Sequence, residues 1–139
     1  MRHGITKWSS SKRYLLLAPG FFIKTYFKMK NIKSKIIVKG KLTDTHTRCV
    51  HYHSPLDVIA IKFKCCNQYF ACYYCHQEEA GHEHTLWQKT EFGTKAILCG
   101  ICSSELTITQ YKASNYQCLV CKTAFNPKCE NHHHLYFEH

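Results

Sequence analysis

Cys65-Cys-Asn-Gln-Tyr-Phe-Ala-Cys72-Tyr-Tyr-Cys75-His76-Gln-Glu-Glu-Ala-Gly-His82 carries six sulfur or imidazole donors within eighteen residues. Upstream stands Cys49-Val-His51; downstream come Cys99-Gly-Ile-Cys102 and Cys118-Leu-Val-Cys121, two Cys-x-x-Cys turns separated by fifteen residues. Each such turn presents two sulfurs at the bite of a tetrahedral Zn²⁺, so Cys99, Cys102, Cys118 and Cys121 form one complete four-thiolate set. A closed shell of that kind leaves no position for water or substrate, and its expected role is structural. Redox chemistry expects a single Cys-x-x-Cys at a helix start, not two turns facing each other. The upstream donors Cys49, His51, Cys65, Cys66, Cys72, Cys75, His76 and His82 suffice for two further tetrahedral sites. Neighbouring side chains diverge, so the pairs Cys65/Cys66 and Cys75/His76 are each expected to split between two metals. Spacing alone leaves open which donor serves which ion.

Nine of the ten cysteines lie between positions 49 and 121. A disulfide framework would need an oxidising compartment and gives no role to histidines at ligand spacing, so reduced, metal-bound cysteines are the preferred reading. The formal net charge is +10. Nine thiolates and three zinc ions together remove three charges, which leaves about +7. Eleven of the nineteen Lys and Arg residues fall in positions 1–43, where the first acid comes only at Asp44. The ligand-bearing remainder is near neutral, which argues against nucleic acid as its partner. No apolar run approaches the length of a membrane span.

Residues 1–33 are basic and serine-bearing, with aromatics at Phe21, Phe22, Tyr26 and Phe27. Three readings stand: a mitochondrial presequence, a disordered basic arm, or a start of translation at Met29, the last being preferred. The metal-binding domain is assigned to residues 36–139. Within it, strands are predicted over 35–42, 58–64 and 68–71, and a short helix over 75–80 that Gly81 stops. Residues 95–98 lead into the Cys99 turn, and 105–110 with 115–117 read as a hairpin returning to Cys118. The tail after Phe125 is read as a loop with a short extended end. The fold class is therefore a small zinc-organised α+β domain of short strands and knuckles, ending in a zinc-ribbon-like hairpin.

Taken together, Arg48-Cys-Val-His-Tyr-His53, Asp57-Val-Ile-Ala-Ile61, Phe63-Lys-Cys-Cys66, Cys72-x-x-Cys75-His76, His82 and the paired downstream turns resemble the CHY-type zinc-finger family. The resemblance covers about residues 36–139 and all twelve donors. It is strongest to small stand-alone bacterial members and to the fungal mitochondrial branch that assists assembly of small Tim chaperones. It implies three zinc ions held by those twelve residues. Longer members join this module to a RING and act as ubiquitin ligases; no RING pattern occurs here, so ligase activity is not implied. Tail residues Phe125-Asn-Pro127, Cys129, His132, His134 and Tyr136-Phe137 also match. Cys129, His132 and His134, with His53, are candidates for an auxiliary fourth metal, and His84 is an alternative to His82.

The functional expectation is a non-enzymatic zinc module that meets another protein as an adaptor. A zinc buffer or metallochaperone protecting partner proteins from zinc is the alternative, and nucleic-acid binding through the basic arm is third. Trp87 and Phe92 are expected to cover the metal region. Tyr69, Phe70, Tyr73, Tyr74 and Tyr116 are read as core or knuckle packing rather than a base-stacking face. The expected location is cytoplasmic, or mitochondrial if residues 1–33 are a presequence.

Overall fold

The computed structural model describes residues 35–139; the three readings of residues 1–33 lie outside them. Residues Ile36–His139 form one compact unit. Its centre is a five-stranded sheet in the order β1-β3-β2-β4-β5. The strands are β1 (Val38–Lys39), β2 (Ile59–Phe63), β3 (Gln68–Phe70), β4 (Lys95–Cys99) and β5 (Glu105–Thr107). β1 runs parallel to β3, and the other neighbours are antiparallel. Two short helices, α1 (Tyr73–Glu79) and α2 (Ile108–Lys112), and two 3-10 segments, Lys89–Glu91 and Pro127–Leu135, complete it.

β2 is central because alternation lets it bury both faces. Ile59, Ile61 and Phe63 join the main core with Phe70, Ile97, Leu106, Ile108, Phe125 and Phe137. Ala60 faces the other way, into a small cluster with Tyr69 and Leu98. On that face the Tyr69 hydroxyl donates to Glu105 Oε1 at 2.8 Å, and Lys62 lies 5.3 Å from the Tyr69 ring centre. The main core also contains Cys49, Cys72, Cys75, Cys99 and Cys118. Thus five of the candidate donors are part of the hydrophobic interior rather than an appendage to it.

Several predicted elements shift. The first strand shrinks to Val38–Lys39, because Gly40 follows at φ +121° and turns the chain. The expected hairpin of 105–110 with 115–117 does not form. β5 pairs with β4 instead, and Ile108–Lys112 is helical. A capping box explains the switch: Thr107 Oγ1 accepts from the Gln110 N–H at 3.0 Å, and Gln110 Oε1 accepts from the Thr107 N–H at 2.9 Å. The second Cys-x-x-Cys turn is flanked only by a single bridge, Gln117 to Ala124. The tail is helical where a loop was expected, with Asn126 capping the Pro127–Leu135 segment. Phe137 then bridges to Trp87 and is buried. Trp87 Nε1 donates to the Lys62 carbonyl at 2.7 Å, so this tryptophan ties the tail to the central strand. Phe92 sits beside Phe137, with ring centres 6.1 Å apart.

Candidate metal centres

Five loops and one helix deliver the donors. The turn between β2 and β3 carries Cys65 and Cys66, and Asn67 completes it in the left-handed region at φ +59°. α1 starts on Cys72, whose sulfur accepts from the Cys75 N–H at 3.4 Å and so serves as the N-cap. The helix therefore begins two residues earlier than predicted. Cys99-Gly-Ile-Cys102 forms the β4–β5 connection, where Cys99 N donates to the Ser104 carbonyl at 2.9 Å.

The donors converge into three groups of four, each with its atoms within 4.8 Å of one another: Cys49, His51, Cys72, Cys75; Cys65, Cys66, His76, His82; and Cys99, Cys102, Cys118, Cys121. We call them the first, second and third groups. All twelve predicted residues are brought together. The pair Cys75/His76 splits between two groups, as expected of neighbours in a helix. Cys65/Cys66 does not split, which corrects the sequence reading. Neighbours diverge along a strand, but these two lie in a tight turn that bends both sulfurs to one side, 3.9 Å apart.

A zinc ion fits the spacing. Zn–S bonds of about 2.3 Å in a tetrahedron imply sulfur–sulfur edges of about 3.8 Å, and sulfur–nitrogen edges of about 3.5 Å. The third group has Cys99–Cys121 at 3.8 Å and Cys102–Cys118 at 3.7 Å. In the first group His51 Nδ1 stands 3.4 Å from Cys72 Sγ, 3.5 Å from Cys75 Sγ and 3.9 Å from Cys49 Sγ. In the second, His76 Nε2 stands 3.2 Å from Cys65 Sγ and 3.9 Å from Cys66 Sγ. All ten cysteines are unpaired, and these separations are far from the roughly 2.05 Å of a disulfide.

Backbone donors favour thiolates. Tyr52 N–H points to Cys49 Sγ at 3.4 Å and Val120 N–H to Cys118 Sγ at 3.3 Å. The hydrogen bond from Cys72 and the Tyr52 and His51 amides hold the Cys49 thiol down at about 5, against the opposing pull of burial. Burial pushes Cys99 up to about 12. Burial also raises Cys102, but Ser104 and the neighbouring thiols outweigh it and bring that thiol to about 7. Four thiols this close share their protons unequally, and a divalent cation relieves the conflict by replacing the protons.

The two histidine-bearing groups differ beyond their donors. His51 presents Nδ1 to the sulfurs, while its Nε2 meets Glu78 Oε2 at 3.1 Å. Glu78 is itself held by Lys41 at 3.1 Å, giving a carboxylate–histidine pair behind the metal position. Sequence reasoning missed Glu78, although it lies one helical turn beyond Cys75. His76 instead presents Nε2, and its Nδ1 is buried without a partner. Packing holds this ring: Phe63 stacks on it at 4.1 Å and Phe70 meets it edge-on at 4.9 Å. Gly40 has a comparable part in the first group. A Cβ there would lie 2.6 Å from Cys75 Sγ, so only glycine lets the backbone pass.

The auxiliary candidates join none of these groups. His53 and His134 are exposed, and His134 stacks on His139 at 6.2 Å. Cys129 and His132 share one face of the 3-10 segment, whose period of three turns His134 elsewhere. They line a cavity with Tyr52, Asp57, Tyr111 and Tyr136. Both Asp57 oxygens there are already engaged, by Ser54 N–H and Asn126 Nδ2 at 2.9 Å each. Burial and Asp57 raise the Cys129 thiol to about 11, so it behaves as a neutral buried thiol. His84 lies outside the second group, against Tyr73 at 4.9 Å. Tyr69 and Phe70 are buried as expected, whereas Tyr74 and Tyr116 are exposed.

The family profile of the CHY zinc finger matches residues 49–137, a span that begins at the first donor and ends on the tail bridge. This chain belongs to the CHY zinc finger family. It is 45% identical over 104 residues to Helper of Tim protein 13 of Saccharomyces cerevisiae, covering 73% of this chain and 90% of that one. It is 44% identical over 103 residues to the Kluyveromyces lactis protein of the same name, covering 74% and 90%. A Schizosaccharomyces pombe relative is 42% identical over 106 residues, covering 76% and 93%. With its three clusters, this CHY zinc finger is a zinc-binding α+β module. No helix among the described residues is long and apolar enough to cross a membrane.

Proposed function

We propose that this protein is a zinc-organised interaction module that assists another protein, without catalysis of its own. The carrying observation is that the twelve donors form three complete tetrads, each anchored by at least one buried donor, which favours structural over catalytic zinc. On this reading the tetrads hold one ion each through the twelve named residues, and metal binding and folding are one event. The relatives' name suggests the partner class, a Tim protein. The tyrosine-rich and apolar surface around the first group, with Val50 and Tyr74 exposed, supplies a contact face. The test is native mass spectrometry of the zinc-loaded chain with a reduced small Tim protein. A complex that disappears on demetallation supports the reading; its absence, or its indifference to zinc, overturns it.

A second reading, zinc buffering or delivery, is favoured by the incomplete enclosure of the second group, where His82 is exposed. We place the protein where thiols stay reduced, the cytoplasm, with the mitochondrion as the alternative. Fractionation of the tagged full chain decides between them.

A further inference from the structure

We propose that the second group is the port through which this protein exchanges zinc, with His82 as the ligand that releases, while the other two groups hold fixed ions. This rests on the three-ion reading above and deepens its zinc-delivery branch.

Four independent features single out this group. It offers two sulfurs where the first group offers three and the third four, so it carries the least negative charge to retain a divalent cation. It has a single buried donor, His76, whereas three of the four donors in the first group are buried. Its buried imidazole, His76, has no partner on Nδ1, whereas His51 is backed by Glu78. Such outer partners are commonly worth about 10- to 100-fold in metal affinity.

The fourth feature is the attachment of His82. α1 ends at Glu79 with Ala80 as its C-cap, and Gly81 turns the chain at φ +74° with open space around it. Residues 81–86 then run without regular structure to Trp87, whose indole is anchored on Lys62. His82 lies 5.0 Å from His76, ring centre to ring centre, and is exposed on a loop outside helix and sheet. Cys65, Cys66 and His76 stay behind on the hairpin turn and helix. The exchange is a ligand substitution. A thiolate of an acceptor protein forms a bond to zinc as the zinc–imidazole bond breaks, and His82 leaves neutral. No oxidant or reductant enters, and the reverse order loads the site.

The three groups have different donor sets, which makes the proposal directly readable. Full-length protein loaded with cadmium-113 should give three resonances, for two-, three- and four-sulfur sites. Titration with EDTA is expected to erase the two-sulfur, two-nitrogen resonance first. With zinc, 4-(2-pyridylazo)resorcinol should remove one equivalent at least about tenfold faster than the other two. Gly81→Ala, which strains the left-handed turn, should speed that first release alone. His82→Ala should retain two ions and both remaining resonances. Three resonances lost together, or the four-sulfur one lost first, would overturn the proposal and leave the three-ion reading standing. Saturation at two ions, with no two-sulfur resonance, would overturn both.

Discussion

The third group and the two upstream groups use the same chemistry on different topologies. The third takes all its donors from residues 99–121 and closes a short loop beside the β4–β5 hairpin. The upstream groups draw on residues 49–82 and cross in sequence, because α1 gives Cys75 to one and His76 to the other. A local loop costs little entropy to close, and its metal is a staple. Crossed ligand sets make the second ion depend on the first, since a seven-residue helix has little stability of its own and presents His76 only while Cys72 and Cys75 are held.

The sharpest attempt to break this contrast is Cys75→Ser. It should lose both upstream ions while keeping the four-sulfur one, seen by elemental analysis and loss of helical circular dichroism. Loss of only one ion would make the upstream groups independent and erase the distinction. Cys118→Ser should cost a single ion and leave the upstream pair loaded; two or more lost ions would show that the third group also supports its neighbours. Gly40→Ala places a Cβ against Cys75 Sγ at positive φ. It should destabilise the loaded protein by about 1–3 kcal/mol in chemical denaturation. Glu78→Gln should weaken the first group by about tenfold in competition titration and leave the third unchanged.

The smallest effect concerns pH. Burial holds His133 down at about 4, below its ordinary value of 6.5, where its ring lies 5.3 Å from that of Tyr111. The unfolded chain therefore binds the extra proton first, and stability falls as pH drops from 6.5 towards 4. His133→Asn should flatten the part of the pH-dependent melting curve that remains after zinc loss is matched between proteins.

Much of the centre was legible in the sequence because ligand chemistry is local and specific. A Cys-x-x-Cys needs no tertiary context to present two sulfurs, and all twelve donors were recognisable from type and spacing. Partition was not legible, since it depends on backbone direction. Cys65 and Cys66 share a group because Asn67 adopts a left-handed turn, which the strand-like run before them did not announce. The hairpin error at 105–117 had an available remedy: Thr107-x-x-Gln110 is a capping box and marks a helix start. The tail misled for the opposite reason. Its histidine run resembles a donor cluster, but the 3-10 period disperses those rings onto Tyr52, Tyr111 and His139.

The peptide bond joining Cys75 to His76 also sets where this family can drift. Each residue added to a helix rotates everything beyond it by about 100°, so one insertion there would aim a donor away from its ion. Lengthening the exposed turn at Asn115 and Tyr116 meets no such penalty. Natural variation in length should therefore accumulate in the turn after α2, while the interval between Cys72 and His76 stays invariant.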